Sequence, residues 1–396
     1  MSACGMLGGM RIGVDARVLA ETAPMGVARC TAALLGTMAQ LAPQHEYYLY
    51  LRTTPLSWAP FTERPFQQQV LAGNCFLNSP LIWQQVYFPW RVWRDKVDIV
   101  VSPYYCGPLF LPAPQIIVLH DISFARFPQD FPSWIRFKPK LLARPSSRRA
   151  ARVVTISEFS RREIMEIYGL AAETVTVIPL GREDAFWRQT QTRADHNIQL
   201  ARQPDFQLDR QPARQPPDAP FFLFVGSLLP RRQVDVVIRA LARLSAPYHL
   251  VTVGEADPDK RAVLGELATD CAIVERVHCL GHVSDAELVS LYQRAVALVF
   301  PSMYEGFGLP LLEAMSRGLP IVAWDIPVTR EVVGDAAILV QSGDVAGLAA
   351  ALDGLGTAPG QRQVLGQAGY EQAARFSWQD SAEKFLTLLD EVACSL

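Results

Sequence analysis

Two carboxylates, two guanidinium groups and one imidazole stand where this chain passes from apolar runs into turns, and together they have the chemistry to hold a sugar joined to an anion. Glu305 and Glu313 bracket Gly306-Phe307-Gly308-Leu309-Pro310-Leu311-Leu312. The run Ala295 to Phe300, closed by Pro301 and Ser302, reads as a buried strand, and Pro310 marks the first position of a helix that Gly318 ends in a left-handed cap. Glycines before such a start let the backbone approach a ligand, and the unpaired N–H groups favour phosphate by about 0.3–1 kcal/mol through the helix dipole. Glu305 ahead of the helix and Glu313 in its first turn then lie on either side of the anion. Each accepts hydrogen bonds from hydroxyl groups, at about 1.5–3 kcal/mol for a charged acceptor, one orienting a sugar and the other a ribose. The plainer alternatives are a helix-surface pair of Glu313 with Arg317, about 0.2–0.5 kcal/mol, and for Glu305 a first-turn helix carboxylate.

Arg231 and Arg232 follow the apolar run Phe221–Val225 and Gly226, and their forked donors suit a diphosphate. An ordinary solvated basic turn is the competing explanation. His120 closes another apolar run and precedes Asp121, a position from which an imidazole can face a cleft and hydrogen-bond a reacting sugar, although a lone strand-end histidine is more often structural.

These residues need elements to place them. Strand-like runs at Ile12–Val14, Tyr47–Leu51, Ile99–Ser102, Ile116–Leu119 and Val153–Ile156 alternate with helical patterns such as Ala28–Leu41, which predicts β-α units and a mainly parallel sheet. Ser157 is a candidate N-cap and Gly169 a candidate C-cap for the next helix. A second series begins at Phe221–Val225 and continues through His249–Val253, His278–Leu280, Ala297–Phe300 and Pro320–Ala323. In such sheets the ligand sits beyond the carboxyl ends of the strands, which is where the singled-out residues fall.

With 396 residues, half of them apolar, the chain is long enough for two α/β domains. Residues 10–185 form the first; 186–220, with its Arg-Gln-Pro repeats and few apolar residues, reads as a linker; 221–376 form the second; and 377–396 form a last helix. Residues 1–9 read as an unstructured leader, which makes Met10 an alternative start. The 37 Lys and Arg against 39 Asp and Glu leave a net charge of −2, so no global field points to nucleic acid. Seven scattered cysteines with no Cys-x-x-Cys fit a reducing cytosol and no structural zinc. No apolar run reaches the ~18–20 residues of a membrane span, and no signal peptide is evident.

The stretch Glu305 to Ala314 resembles the Glu-(seven residues)-Glu signature of the retaining glycosyltransferases of group 1, family 4. Gly26-Val27-Ala28-Arg29, His120-Asp121, Val177-Ile178-Pro179-Leu180-Gly181, Val225-Gly226-Ser227, Leu280-Gly281-His282-Val283 and Phe376-Ser377-Trp378 extend the resemblance along nearly the whole chain. It implies the GT-B fold, two Rossmann-like β/α/β domains facing across a cleft, with the acceptor on the first, the nucleotide sugar on the second, and the last helix crossing back to the first. It also implies roles. Glu305 would contact the transferred sugar, Glu313 the ribose, and Arg231 and Arg232 the donor's phosphates, with Arg232 in place of the commoner lysine. Gly306, Phe307, Gly308 and Leu309 line the donor, the backbone N–H groups of Gly308 and Leu309 reaching phosphate or sugar hydroxyls. His120 would lie near the reacting carbon, and Gly26 and Gly226 would admit the donor's phosphate. Cys30 replaces the usual aromatic after Arg29.

No metal or other cofactor is implied, since no Asp-x-Asp stands at a strand end and the arginines can neutralise the leaving diphosphate. The Gly-Val-Ala-Arg and Phe-Ser-Trp variants resemble members that often transfer mannose into surface polysaccharides, so GDP-mannose is the first donor to test, with a glycan or lipid-linked saccharide as acceptor. The segment Ser133 to Arg152 carries seven basic residues and no acid among aromatic and aliphatic ones, and suits peripheral contact with anionic lipid at the inner surface of the membrane; a solvated helix broken at Pro139 and Pro145 is the alternative. Three rival functions compete with this reading. A nicotinamide oxidoreductase fails because Gly5, Gly8 and Gly9 precede the first strand instead of following it. A non-catalytic carbohydrate-binding protein and a sugar-nucleotide epimerase of related fold remain.

Overall fold

The computed structural model describes residues 9–20, 26–52, 56, 61–71, 79–131, 133–182, 217–254 and 257–395, and over 133–140 the backbone alone. The chain divides into two compact units, Met1–Gln203 with Ser377–Leu396, and Pro204–Phe376.

The first unit is built on β1 (Arg11–Asp15), β2 (Glu46–Leu51), β3 (Phe66–Val70), β4 (Ile99–Ser102), β5 (Gln115–Val118), β6 (Arg152–Thr155) and β7 (Val175–Val177). They form one sheet in the order β3-β2-β1-β4-β5-β6-β7, parallel at every pairing. A parallel sheet covered on both faces needs unbroken apolar strands, and Ile99, Val100, Ile116, Ile117 and Val153 are accordingly buried. The second unit repeats the plan with β8 (Phe221–Val225), β9 (His249–Val253), β10 (Val277–Gly281), β11 (Ala297–Phe300), β12 (Ile321–Trp324) and β13 (Ile338–Val340), in the order β10-β9-β8-β11-β12-β13. Its strands are parallel as well, with Ala297 opposite Phe222 and Leu298 opposite Leu223 where β11 meets β8. Phe222, Phe224, Val299 and Trp324 belong to one apolar cluster against one face of this sheet, each large side chain adding about 1.5–3 kcal/mol on burial. In each unit the strand order reverses once, between β1 and β4 and between β8 and β11, and the crevice beyond the carboxyl ends at such a point is where α/β sheets take ligands.

The ten strands expected from sequence are present, their ends shifted by at most one residue. Three others were not foreseen: β3, β7 and β13, all at sheet edges. The first helix starts at Gly26, two residues earlier than expected, so Gly26 opens a helix instead of lying in a free loop. Ser157 caps the helix Glu158–Tyr168 by accepting from the Ser160 N–H at 3.0 Å, and Gly169, at φ 63, closes it. The helix Ser133–Arg149 runs straight through Pro139 and Pro145. Each proline removes one i to i−4 donor, and packing of Leu142 and Ala143 into the core of this unit outweighs that loss at Pro145. The greater part of the expected linker, 186–216, lies outside the described residues.

The last helix, Trp378–Cys394, belongs to the first unit. It buries Trp378, Phe385, Leu388, Leu389 and Val392, packs along the helix Gly26–Leu41, and sends the Ser381 hydroxyl to the Pro179 carbonyl at 2.6 Å. Ser377 caps it by accepting from the N–H groups of Gln379 and Asp380. No helix among the described residues is long and apolar enough to cross a membrane.

Candidate active site

Two loops leave the carboxyl ends of the adjacent strands β8 and β11, and they carry most of the residues singled out in the second unit. The first begins at Gly226, whose φ of 149 favours glycine and whose bare Cα matters for a second reason: a Cβ there would stand 3.1 Å from Nη1 of Arg232. The chain then makes a 3-10 turn, Pro230–Arg232, so the two guanidinium groups leave successive positions of one tight turn. The second loop runs from Pro301 to Gly308, and the Met303 N–H donates to the Arg231 carbonyl at 2.9 Å, binding the loops together.

Arg232 and Glu305 meet across this junction. Nη1 of Arg232 lies 2.6 Å from Oε1 of Glu305, with the side chains only 14% and 11% exposed. The guanidinium carbon sits 5.9 Å from the Phe300 ring, and its Nε has no hydrogen-bond partner among the described residues. A group assigned to phosphate and a group assigned to sugar, expected separately from the sequence, are thus paired with each other. A buried pair of this kind is a poor stabiliser of a fold but a good reservoir of binding, because either member gains from a better-placed partner.

The helix Leu309–Met315 follows, capped by Gly308 at φ 97, with Pro310 in second position instead of first. It ends in a Schellman arrangement: the Leu319 N–H reaches the Ala314 carbonyl and the Gly318 N–H the Met315 carbonyl, both at 3.0 Å, with Gly318 at φ 65. This start puts Glu313 fifth in the helix, one residue further in than expected, and the first turn carries no acid. Its Oε2 accepts from the Tyr292 hydroxyl at 2.6 Å. Arg317 donates to the Glu313 backbone carbonyl at 3.0 Å and lies over the Tyr292 ring at 5.2 Å. Phe307, expected beside the donor, is 3% exposed and meets Phe376 edge-on at 5.4 Å, so its ring braces the turn from inside. Gly306 lies in the bend between Glu305 and Phe307.

In the first unit, His120 follows β5, as expected. Its Nε2 is enclosed and has no partner among the described residues, and burial drives the imidazole down to about 4 against the opposing pull of Asp121, so the ring is neutral near pH 7. It is one of the residues around a cavity of about 30 Å³, together with Cys30, Thr31, Val118, Trp378 and Phe385. Asp121 instead accepts from the Ser123 N–H at 2.8 Å, fixing the chain just past the histidine.

One cluster went unnoticed in the sequence. At the end of β1, Arg17 grips Asp15 through two bonds of 2.8 and 2.6 Å and lies over the rings of Trp83 and Tyr104, at 4.7 and 5.7 Å. Trp83 opens a π-helical turn, Trp83–Tyr87, in the helix spanning 80–94, a kind of irregularity that concentrates at functional sites. The signal was a pair of opposite charges closing an apolar strand, too common a pattern to stand out alone.

The paired loops stand at the reversal point of a parallel sheet, where α/β sheets take ligands. The family models "Glycosyltransferase Family 4" and "Glycosyl transferases group 1" match residues 25–186 and 205–372. O-antigen chain mannosyltransferase B of Escherichia coli is 30% identical over 296 residues, covering 72% of this chain and 73% of that protein. O-antigen chain mannosyltransferase RfbU of Salmonella typhimurium is 28% identical over 270 residues, 67% of this chain and 68% of its own length. The chain belongs to the group 1 glycosyltransferases and is a glycosyltransferase of the GT-B fold. Among solved structures, sucrose-phosphate synthase of Thermosynechococcus elongatus superposes with a TM-score of 0.73 at 19% identity, over 98% of this chain and 100% of that one. Anabaena HepE in complex with UDP gives 0.69 at 17%, over 96% and 100%. At those identities they bear on the fold alone.

Proposed function

We propose that this chain is a retaining, metal-independent hexosyltransferase of polysaccharide biosynthesis that moves mannose from a nucleotide diphosphate sugar, GDP-mannose first, to a glycan or lipid-linked saccharide. The nucleotide sugar is a substrate, and no cofactor is needed. The observation that carries the reading is the Arg232 and Glu305 pair, largely buried where two loops meet at the reversal point of the second sheet. Two relatives named as O-antigen chain mannosyltransferases favour mannose and a polysaccharide product.

In this reading the bond from the sugar's anomeric carbon to the distal phosphate oxygen breaks, a bond to an acceptor hydroxyl oxygen forms on the same face, and the hydroxyl's proton passes to the departing diphosphate oxygen. Arg231 and Arg232 neutralise the leaving diphosphate, which stabilises charge as it develops. The N–H groups of Gly308 and Leu309 and the uncluttered backbone at Gly226 complete the phosphate seat. Glu305 receives hydroxyls of the transferred sugar, and Glu313, already oriented by Tyr292, receives those of the ribose. His120 works as a neutral hydrogen-bonding group near the reacting carbon, and Gly26 lets the first unit's backbone approach the donor. The test is incubation with GDP-mannose and other sugar nucleotides, with a cell extract as acceptor source and EDTA present. Nucleoside diphosphate release with a mannosylated product, its anomeric configuration retained, supports the reading. Binding without release selects the carbohydrate-binding alternative, an isomerised donor selects the epimerase, and dependence on added manganese or magnesium rejects metal independence.

Contact with a membrane at its cytoplasmic surface belongs to the same proposal, and one observation redirects it. Arg144 and Arg148 of the basic helix donate to the Tyr168 carbonyl at 3.3 and 3.0 Å, so their charges are partly spent on the fold. Nearby stand exposed aromatics: Trp90 under Arg94, Trp93 at 67% exposure, and Phe110 at 71% under Arg149, with Leu109 joined to both Gln85 and Arg149 by hydrogen bonds. Tryptophan beside arginine suits the headgroup layer of anionic lipid. Co-sedimentation with vesicles containing anionic lipid, weakened in Trp93→Ala, supports this contact; indifference to lipid charge rejects it.

A further inference from the structure

The residue that follows the arginine pair has a backbone unusual for its type. Gln233 sits at φ 47, ψ 42, the left-handed region where a Cβ crowds the carbonyl, and the other non-glycine residues described there are Lys96 and Ala272. Glycine or asparagine would enter this conformation more readily. Gln233 also ends the Pro230–Arg232 turn, its N–H donating to the Pro230 carbonyl at 3.1 Å, and caps the helix Val234–Leu241 without a side-chain bond to it.

The side chain is used elsewhere. Trp324, fully buried at the end of β12, donates its indole N–H to Oε1 of Gln233 at 2.7 Å. An indole has one donor and no acceptor, so in the core it needs a partner, and the amide oxygen supplies it. Asparagine is one methylene too short to reach from the same backbone, and glycine offers nothing. The strained position and the glutamine side chain therefore belong together: the left-handed turn aims the amide at the strand, and the strand holds the turn.

We infer that Gln233 is a positioning residue for the donor's diphosphate, fixing the Arg231-Arg232 turn to β12 through Trp324. The inference rests on the reading that these arginines bind the diphosphate. The turn is then held from two sides, by Trp324 at its end and by the Met303 N–H on the Arg231 carbonyl, and Arg232 is kept over Gly226 and against Glu305. Loss of the indole bond frees one side, and part of the diphosphate's binding is lost in re-ordering the guanidinium groups.

The experiment is a double-mutant cycle of Gln233→Asn and Trp324→Phe in the full chain, read by the dissociation constants of GDP and UDP and by melting temperature. Gln233→Asn keeps a side chain that tolerates the backbone, and Trp324→Phe removes the donor while filling most of the space. Each single variant is expected to weaken nucleoside diphosphate binding about three- to tenfold, the factor for one neutral hydrogen bond, and the double variant no more than the weaker single. Lower melting temperatures with unchanged nucleotide affinity mark the bond as structural only and overturn the inference, as do losses that multiply in the double variant. If Trp324→Phe does not fold, Gln233→Asn alone decides by the same affinity. A wild-type chain that binds neither GDP nor UDP sinks the donor reading and this inference together, whereas tight wild-type binding matched by the variants sinks this inference alone.

Discussion

Replacing Glu305 with glutamine separates two roles that one carboxylate holds. Its Oε1 is 2.6 Å from Nη1 of Arg232, and both side chains are nearly closed off from water. A diphosphate arriving at Arg232 has to share that guanidinium with a fixed negative charge. Glutamine keeps the shape and one acceptor oxygen but removes the charge. A charge-assisted bond contributes about 1.5–3 kcal/mol, so relief at the lower end of that range tightens binding of free GDP or UDP about tenfold. Transfer moves the other way, since the sugar loses a charged acceptor, and the rate falls about a hundredfold. Stability also drops, by about 3 kcal/mol, because Arg232 is left buried without its counter-charge, and nucleoside diphosphate at about 100 times its dissociation constant restores about 2.7 kcal/mol. Calorimetric titration with GDP and UDP, thermal melting with and without them, and a transfer assay measure the three effects. Diphosphate binding that is unchanged or weaker in Glu305→Gln refutes the argument, whatever happens to turnover.

Other outcomes follow from single contacts. Tyr292→Phe leaves the Glu313 carboxylate without its 2.6 Å donor and is expected to raise the donor KM about three- to tenfold with a smaller change in kcat, checked by initial-rate kinetics. Gly226→Ala puts a Cβ at 3.1 Å from Arg232 on a backbone with φ 149; melting should show a loss of about 1–3 kcal/mol, and donor binding should weaken with it. His120 is depressed to about 4 from 6.5, so its neutral form stabilises the fold above about pH 6.5 and that contribution is lost as pH falls toward 4, by at most about 3 kcal/mol. Melting temperatures at pH 5 and pH 7 should differ less in His120→Asn than in the wild type.

The central strands were legible because a parallel sheet covered on both faces demands continuous apolar runs, and Phe221–Val225, His249–Val253 and Ala297–Phe300 coincide with theirs to the residue. The missed strands are edges with half the burial requirement: β3 reads Phe-Gln-Gln-Gln-Val, and β7 and β13 have three residues each. Glu305, Arg232 and His120 were visible as polar residues at strand ends. Their partners were not, since the Arg232 and Glu305 pair joins residues far apart in sequence through the adjacency of β8 and β11, a fact of topology. Tyr292 stands 21 positions from Glu313 with nothing in its sequence surroundings to mark it, and the tie between Gln233 and Trp324 spans 91 positions. The proline pair in Ser133–Arg149 misled for another reason: local propensity argued for a break, and tertiary packing overruled it.

Because the closing helix belongs to the opening unit, the second unit is nested within the first instead of following it. Severing the gene product at a single point thus leaves the amino-terminal half without the segment that seals Pro179 and the face of its first helix, and that half is not a self-sufficient fragment. The nested portion, by contrast, has its own sheet and its own apolar interior, so it is the natural cassette to exchange between relatives. Such a graft needs two junctions, the downstream one between Phe376, which packs on Phe307, and Ser377, which starts the returning helix.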